Sequence, residues 1–159
     1  MNINIICIGK LKEKYWRDAS DEYAKRIGGY ASIRITELKE ARLPKNASSA
    51  DEQQVITKEG ESILAKIADS DYVIAMEVEG RMLDSVRLSE HLRKTFDSGR
   101  TTIDFVIGGS LGLSDNVKRR ADFGLSFGPM TFPHQMARIM LLEQVYRSFK
   151  IMNHETYHK

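Results

Sequence analysis

The chain has 159 residues, of which 42% are hydrophobic and 29% charged, with a formal net charge of +2. That size and balance suit one globular domain, 1–159, with a substantial core, and the charge is too small to announce a nucleic-acid binder. No apolar run approaches the ~18 residues of a membrane span, no signal-peptide pattern opens the chain, and a cytoplasmic location is the expectation.

Asn2–Gly9 is isoleucine-rich and ends at glycine, so it predicts a buried strand. Its Cys7, the one cysteine, reads as a buried, inert thiol. Trp16, Ala19, Tyr23 and Ile27 recur at helical spacing and predict a helix over Glu13–Ile27, ended by Gly28-Gly29. In Ser32–Leu38, Ile33 and Ile35 alternate with polar residues, as in a half-exposed strand. Glu40–Ala50 reads as a polar loop, and Ser49 with Glu52 fits a capping box that opens a helix bearing Ile56, Ile63 and Ile67.

Tyr72–Met76 is the third predicted strand, with Glu77–Gly80 as its exit. Asp84 or Ser85 caps a helix that carries Leu88, Leu92 and Phe96 and stops at Gly99. Ile103–Ile107 is the fourth strand, followed by a short helix, Asp115–Ala121, and a fifth strand, Leu125–Phe127. A long helix, Pro133–Phe149, and a polar tail, Lys150–Lys159, close the chain. Strands alternating with helices predict an α/β fold: a mostly parallel sheet with helices on both faces.

No P-loop pattern occurs, and the first strand leads into Gly9-Lys10-Leu11 rather than a dinucleotide fingerprint. Three exits do contain glycine: Met76–Gly80, Gly108–Gly112 and Phe127–Pro133. In a parallel sheet they share one edge, where ligands collect. A pocket walled by backbone and apolar side chains suits a flat uncharged ring such as adenine better than a polyphosphate. No cluster of Cys and His has metal-ligand spacing, so no metal is expected.

The last helix is apolar round most of its circumference, through residues including Ile139, Met140, Leu142, Val145, Tyr146 and Phe149. Such a helix is buried on more than one side, and a twofold dimer through Ile139, Leu142 or Tyr146 is one solution; a central core helix of a monomer is the other. Residues 117–159 carry seven basic and three acidic side chains, a bias that suits an anionic partner such as RNA.

The run Met130-Thr131-Phe132-Pro133-His134-Gln135-Met136, the segment Glu143–Arg147, the Val106–Ser110 exit, the Gly9–Lys12 opening and the Tyr157-His158 ending resemble the bacterial ribosomal RNA large subunit methyltransferase H family. The resemblance covers essentially the whole chain. It implies a SPOUT-type fold with a C-terminal trefoil knot, a homodimer, and S-adenosyl-methionine as methyl donor. The implied substrate is N3 of a pseudouridine in large-subunit (23S) ribosomal RNA of the assembled ribosome. The family's cofactor contacts carry over onto Met76, Gly108, Phe127, Gly128, Pro129, Met130, Thr131 and Phe132; Met76 departs mildly from the family's usual leucine.

An imide nitrogen must lose its proton before it accepts a methyl group. His134 and His158 are the candidate acceptors, and Arg138 and Arg147 the candidate anion holders. Tyr157 suits stacking on a base. The rival readings are a nucleotide-dependent oxidoreductase and a non-catalytic ribosome-associated module.

Overall fold

The structure is a computed structural model that describes residues 1–158. Five strands, β1 (Asn2–Ile8), β2 (Ser32–Leu38), β3 (Tyr72–Met82), β4 (Thr102–Ile107) and β5 (Phe123–Ser126), form one sheet in the order β2-β1-β4-β3-β5. Every pairing is parallel. Four helices connect them, α1 (Lys14–Ile27), α2 (Ser49–Leu64), α3 (Ser85–Asp97) and α4 (Asp115–Arg120), and a fifth, α5 (His134–Met152), follows β5.

Both sheet faces are covered, as the near-continuous apolar runs of β1 and β4 require. Ile3, Ile5, Cys7, Phe105 and Ile74 point into one core with Ile27 of α1, Leu92 of α3 and Leu141, Val145 and Phe149 of α5. Ile6, Ile8, Val73 and Val106 point the other way, onto Ile63 of α2 and Val117 of α4. Helix α5 lies between α1 and α3 on the first face. That placement answers much of its apolar wrap: Leu142 is fully buried, so it is not an outward position, whereas Ile139 and Tyr146 are half-buried.

Four boundaries differ from expectation. The capping box is Ser48 with Asp51, one residue earlier than predicted, and both reciprocal bonds are made. Glu77–Gly80 is not an exit from β3 but a bulge within it, since β3 pairs with β5 at Met76 and again at Arg81 after a register shift. β5 begins at Phe123 and ends at Ser126, which leaves Phe127 in the loop. α5 runs to Met152, past the predicted stop at Phe149.

Candidate active site

The strands β4, β3 and β5 are neighbours, so the carboxyl ends of β4 and β5 converge with the bulge of β3. A cavity of about 810 Å³ opens there. At the end of β4, Gly112 N–H donates to the Gly109 carbonyl at 3.1 Å and closes a tight turn. A Cβ added to Gly108 would sit 2.9 Å from the Gly112 carbonyl group, so only glycine lets this turn close. In the β5 exit, Gly128 has φ +110°, a left-handed conformation that favours glycine. Its N–H donates to Ser126 Oγ at 3.0 Å, and the same hydroxyl donates to the Val78 carbonyl at 2.9 Å. Ser126 therefore ties the β5 exit to the β3 bulge.

Of the eight sequence-predicted cofactor contacts, seven line this cavity: Met76, Gly108, Phe127, Gly128, Met130, Thr131 and Phe132. Pro129 sits in the same loop but not on the cavity wall. Sequence reasoning missed the cavity's charged groups, Glu77, Glu79 and Lys118. Lys118 Nζ lies 3.6 Å from Glu77 Oε2.

A second groove of about 730 Å³ adjoins the cavity across Leu125 and Phe127. Ile139, Met140, Glu143 and His158 line it. Here the end of the chain folds back onto α5. The Tyr157 hydroxyl donates to Glu143 Oε1 at 3.2 Å, and the Arg147 guanidinium lies 4.6 Å from the Tyr157 ring centroid. Arg147 also pairs with Glu143 at 2.6 Å and faces His158 Nδ1 at 3.4 Å. Burial, reinforced by the Glu143 charge, pushes the Tyr157 phenol above its ordinary range. Arg147, Tyr157 and His158 thus form one cluster, and Glu143 organises it.

The other two candidates stand apart. His134 lines the cavity, but its Nε2 is buried without a hydrogen-bond partner, against the backbone of Gly9. Burial holds its imidazole below the usual histidine range, which favours the neutral form. Arg138 is 1% exposed, and its guanidinium is engaged by Glu37 at 2.5 Å and by the Gly9 carbonyl at 2.9 Å. Both terminal nitrogens of Arg138 are thus used within the fold, whereas Arg147 stands nearer the surface beside Tyr157 and His158.

The chain matches, over residues 1–158, the family described as "Predicted SPOUT methyltransferase". It is 52% identical to the ribosomal RNA large subunit methyltransferase H of Alkaliphilus oremlandii (strain OhILAs), over 100% of both chains. It is 51% identical to the protein of that name from Clostridium acetobutylicum, again over the full length of both. The chain belongs to the SPOUT methyltransferases, in the ribosomal RNA large subunit methyltransferase H family. A solved structure titled "a probable methylase family protein from Haemophilus influenzae Rd KW20" shares the fold, with TM-score 0.55 over 99% of this chain and 70% of that one, at 14% identity.

For a SPOUT methyltransferase, the cation bookkeeping of 117–158 is a surprise. Lys118 pairs with Glu77, and Arg120 with Asp122 and three backbone carbonyls. Arg119 donates to Asn116, Arg138 and Arg147 are engaged as above, and Lys150 pairs with Glu155. The cations of the segment that looks basic in the sequence are therefore largely engaged within the fold. Lys159 lies outside the described residues. Among the described residues no group of three or more His, Cys, Asp or Glu is arranged to hold a metal ion, and no helix is long and apolar enough to cross a membrane.

Proposed function

We propose that this chain uses S-adenosyl-methionine to methylate N3 of a pseudouridine in large-subunit ribosomal RNA, in the assembled ribosome and in the cytoplasm. The observation that carries the reading is the backbone-lined cavity at the ends of β4 and β5 and the bulge of β3, in a chain alike over its full length to relatives named for that RNA. We read the C-terminal region, β4 to α5, as the trefoil knot of the family.

The residues fit the cofactor. Met76, Leu125 and Phe127 offer apolar surface to a flat base, and the turns at Gly108 and Gly128 leave the backbone approachable. Glu77 suits sugar hydroxyls or an ammonium group, and Lys118 suits a carboxylate. When bound, S-adenosyl-methionine supplies a methyl group on a sulfonium. The chain's own task is to hold the target nitrogen in line and remove its proton. His158 is the acceptor within the tail cluster, Arg147 holds the negative charge left on the base, and Tyr157 offers it a ring to stack on.

A homodimer belongs to this reading. Half-buried Ile139 and Met140 line the groove, with Met82 68% exposed and Val86 41% exposed at its edge. A second copy seated there would bury these side chains and bring one protomer's tail to its partner's cavity. Ile139→Arg should convert the dimer to a monomer in sedimentation, and a wild-type chain that sediments as a monomer at micromolar concentration sinks the dimer.

The enzymatic test combines calorimetry with S-adenosyl-methionine and mass mapping of large-subunit RNA after incubation with unmethylated ribosomes. A single new methyl on a pseudouridine is the expected result. Binding without methyl incorporation would leave only a cofactor-binding module.

A further inference from the structure

We propose that the loops leaving β1 and β2 form a phosphate-contacting ridge by which the protein docks on RNA beside the cavity. The inference rests on the reading as an RNA methyltransferase and goes beyond it by locating the binding surface. Lys10 and Lys12 lie in the first loop, and Lys39, Arg42 and Lys45 in the second; all five are exposed. β1 and β2 run parallel in register from Asn2↔Ser32 to Ile8↔Leu38, so the two loops leave the same edge side by side.

None of these five cations has a carboxylate within ion-pair distance among the described residues. That sets them apart from the satisfied cations of 117–158. Of the acidic side chains nearby, Glu59 accepts from the Ala41 N–H and Asp51 from the Ser48 cap. Glu37 is taken by Arg138 and the Leu11 N–H, which leaves Glu13 and Glu40 against five cations. A ridge with unspent positive charge suits a polymer with regularly spaced phosphates. Tyr15, 64% exposed at the start of α1, adds a ring for an unstacked base, which favours RNA over an acidic protein.

The ridge is also fixed to the site. Leu11 N–H donates to Glu37, and Arg17 donates to the Leu11 carbonyl at 3.2 Å. Gly9 packs against His134, which lines the cavity. Glu59 accepts from Ala41 N–H at 3.0 Å with one oxygen and lies against Gly109, also on the cavity wall, with the other. RNA held on the ridge would therefore be held at a constant offset from the cofactor.

The test compares two triple variants. Lys12→Ala/Arg42→Ala/Lys45→Ala removes ridge charge. Lys25→Ala/Lys66→Ala/Lys94→Ala removes equal charge at the carboxyl ends of α1, α2 and α3, on the opposite edge of the sheet. Affinity for a fluorescent stem-loop of large-subunit ribosomal RNA is measured against potassium chloride concentration. The ridge variant should flatten the slope of log affinity on log salt by about 2, roughly 0.7 for each of the three lost phosphate contacts. The control should keep the wild-type slope, and both should bind S-adenosyl-homocysteine like wild type. An unchanged slope in the ridge variant, or an equal loss in the control, overturns the ridge. Equally tight binding of the wild type to anionic phospholipid vesicles at the same salt also overturns it. Methyl incorporation by the wild type into ribosomes tests the functional reading separately, because the slope comparison needs no turnover.

Discussion

The Arg138 guanidinium lies 2.5 Å from Glu37 Oε1, joining residues 101 positions apart and clamping the first turns of α5 to the end of β2. Burial raises the Glu37 carboxyl, but its bonds from Arg138 and the Leu11 N–H outweigh that and leave it below its ordinary range. Glu37 thus stabilises the fold above the ordinary glutamate range, and that contribution is lost as pH falls through its lowered pKa. Arg138→Met breaks the pair and leaves the Gly9 carbonyl without its donor. We expect a loss of about 2 kcal/mol, below the roughly 3–5 kcal/mol of a fully buried pair because Glu37 stays partly solvated. Arg138→Lys should rescue little, since an ammonium cannot span both acceptors. Urea midpoints check this; unchanged stability with lost methyl transfer would return Arg138 to the chemistry.

Gly108 tests the cavity. Its Cβ direction points at the Gly112 carbonyl, not into the cavity, so a side chain there acts by forcing the turn open. Gly108→Val should abolish S-adenosyl-homocysteine binding in calorimetry and cost about 1–3 kcal/mol of stability, as overpacked sites do. Wild-type affinity in the variant would remove this turn from the cofactor site.

Asp104 should make stability pH-dependent, far from the site. It is fully buried on β4; Asn4 donates to its Oδ1 at 2.7 Å, and Oδ2 has no hydrogen-bond partner. Burial, together with the nearby Asp71 charge, pushes its carboxyl up to about 6. The folded chain therefore holds a proton that the unfolded chain releases near an ordinary aspartate pKa. Stability from this group is fully present below that ordinary value and is lost as pH rises through about 6. Asp104→Asn should flatten the thermal midpoint between pH 4 and pH 7 relative to wild type. Parallel pH profiles for the two proteins would show that Asp104 titrates normally.

What the sequence conveyed was local. The isoleucine-rich run of β1 and the glycines after β4 and β5 made the sheet and two of its converging exits legible. Ser48 with Asp51 and Ser49 with Glu52 both satisfy the capping-box spacing, and backbone geometry alone chooses the first. The β3 bulge was illegible because Glu77–Gly80 is polar and ends in glycine, while the pairing that rescues it comes from β5, more than 40 residues on. Counting cations in 117–159 suggested a basic surface because a count carries no partners. The Glu143–Tyr157 contact needs the chain to reverse at His154, a left-handed residue that no rule about tails anticipates.

That reversal underlies the sharpest prediction. The tail is anchored, not frayed: Glu155 N–H donates to the Lys150 carbonyl at 2.9 Å, and the Tyr30 hydroxyl donates to Glu155 at 2.8 Å. Tyr157 then packs edge-on against Tyr146, with centroids 4.9 Å apart. Deleting Tyr157–Lys159, whose last residue lies outside the described structure, removes one half-buried ring and His158 but no residue of the buried core. Folding and S-adenosyl-homocysteine affinity should survive, at a stability cost of about 1 kcal/mol for the lost aromatic contacts. Methyl incorporation into ribosomes should fall by at least about 100-fold, the usual worth of a positioned proton acceptor. His158→Ala alone should lower kcat with little change in the KM for S-adenosyl-methionine. His158→Asn, which keeps a polar side chain there but cannot accept the proton, should be no faster, which loss of packing alone would not do. A truncated chain that methylates at the wild-type rate moves the chemistry to His134, the titratable side chain left on the cavity wall with a buried, unpartnered nitrogen.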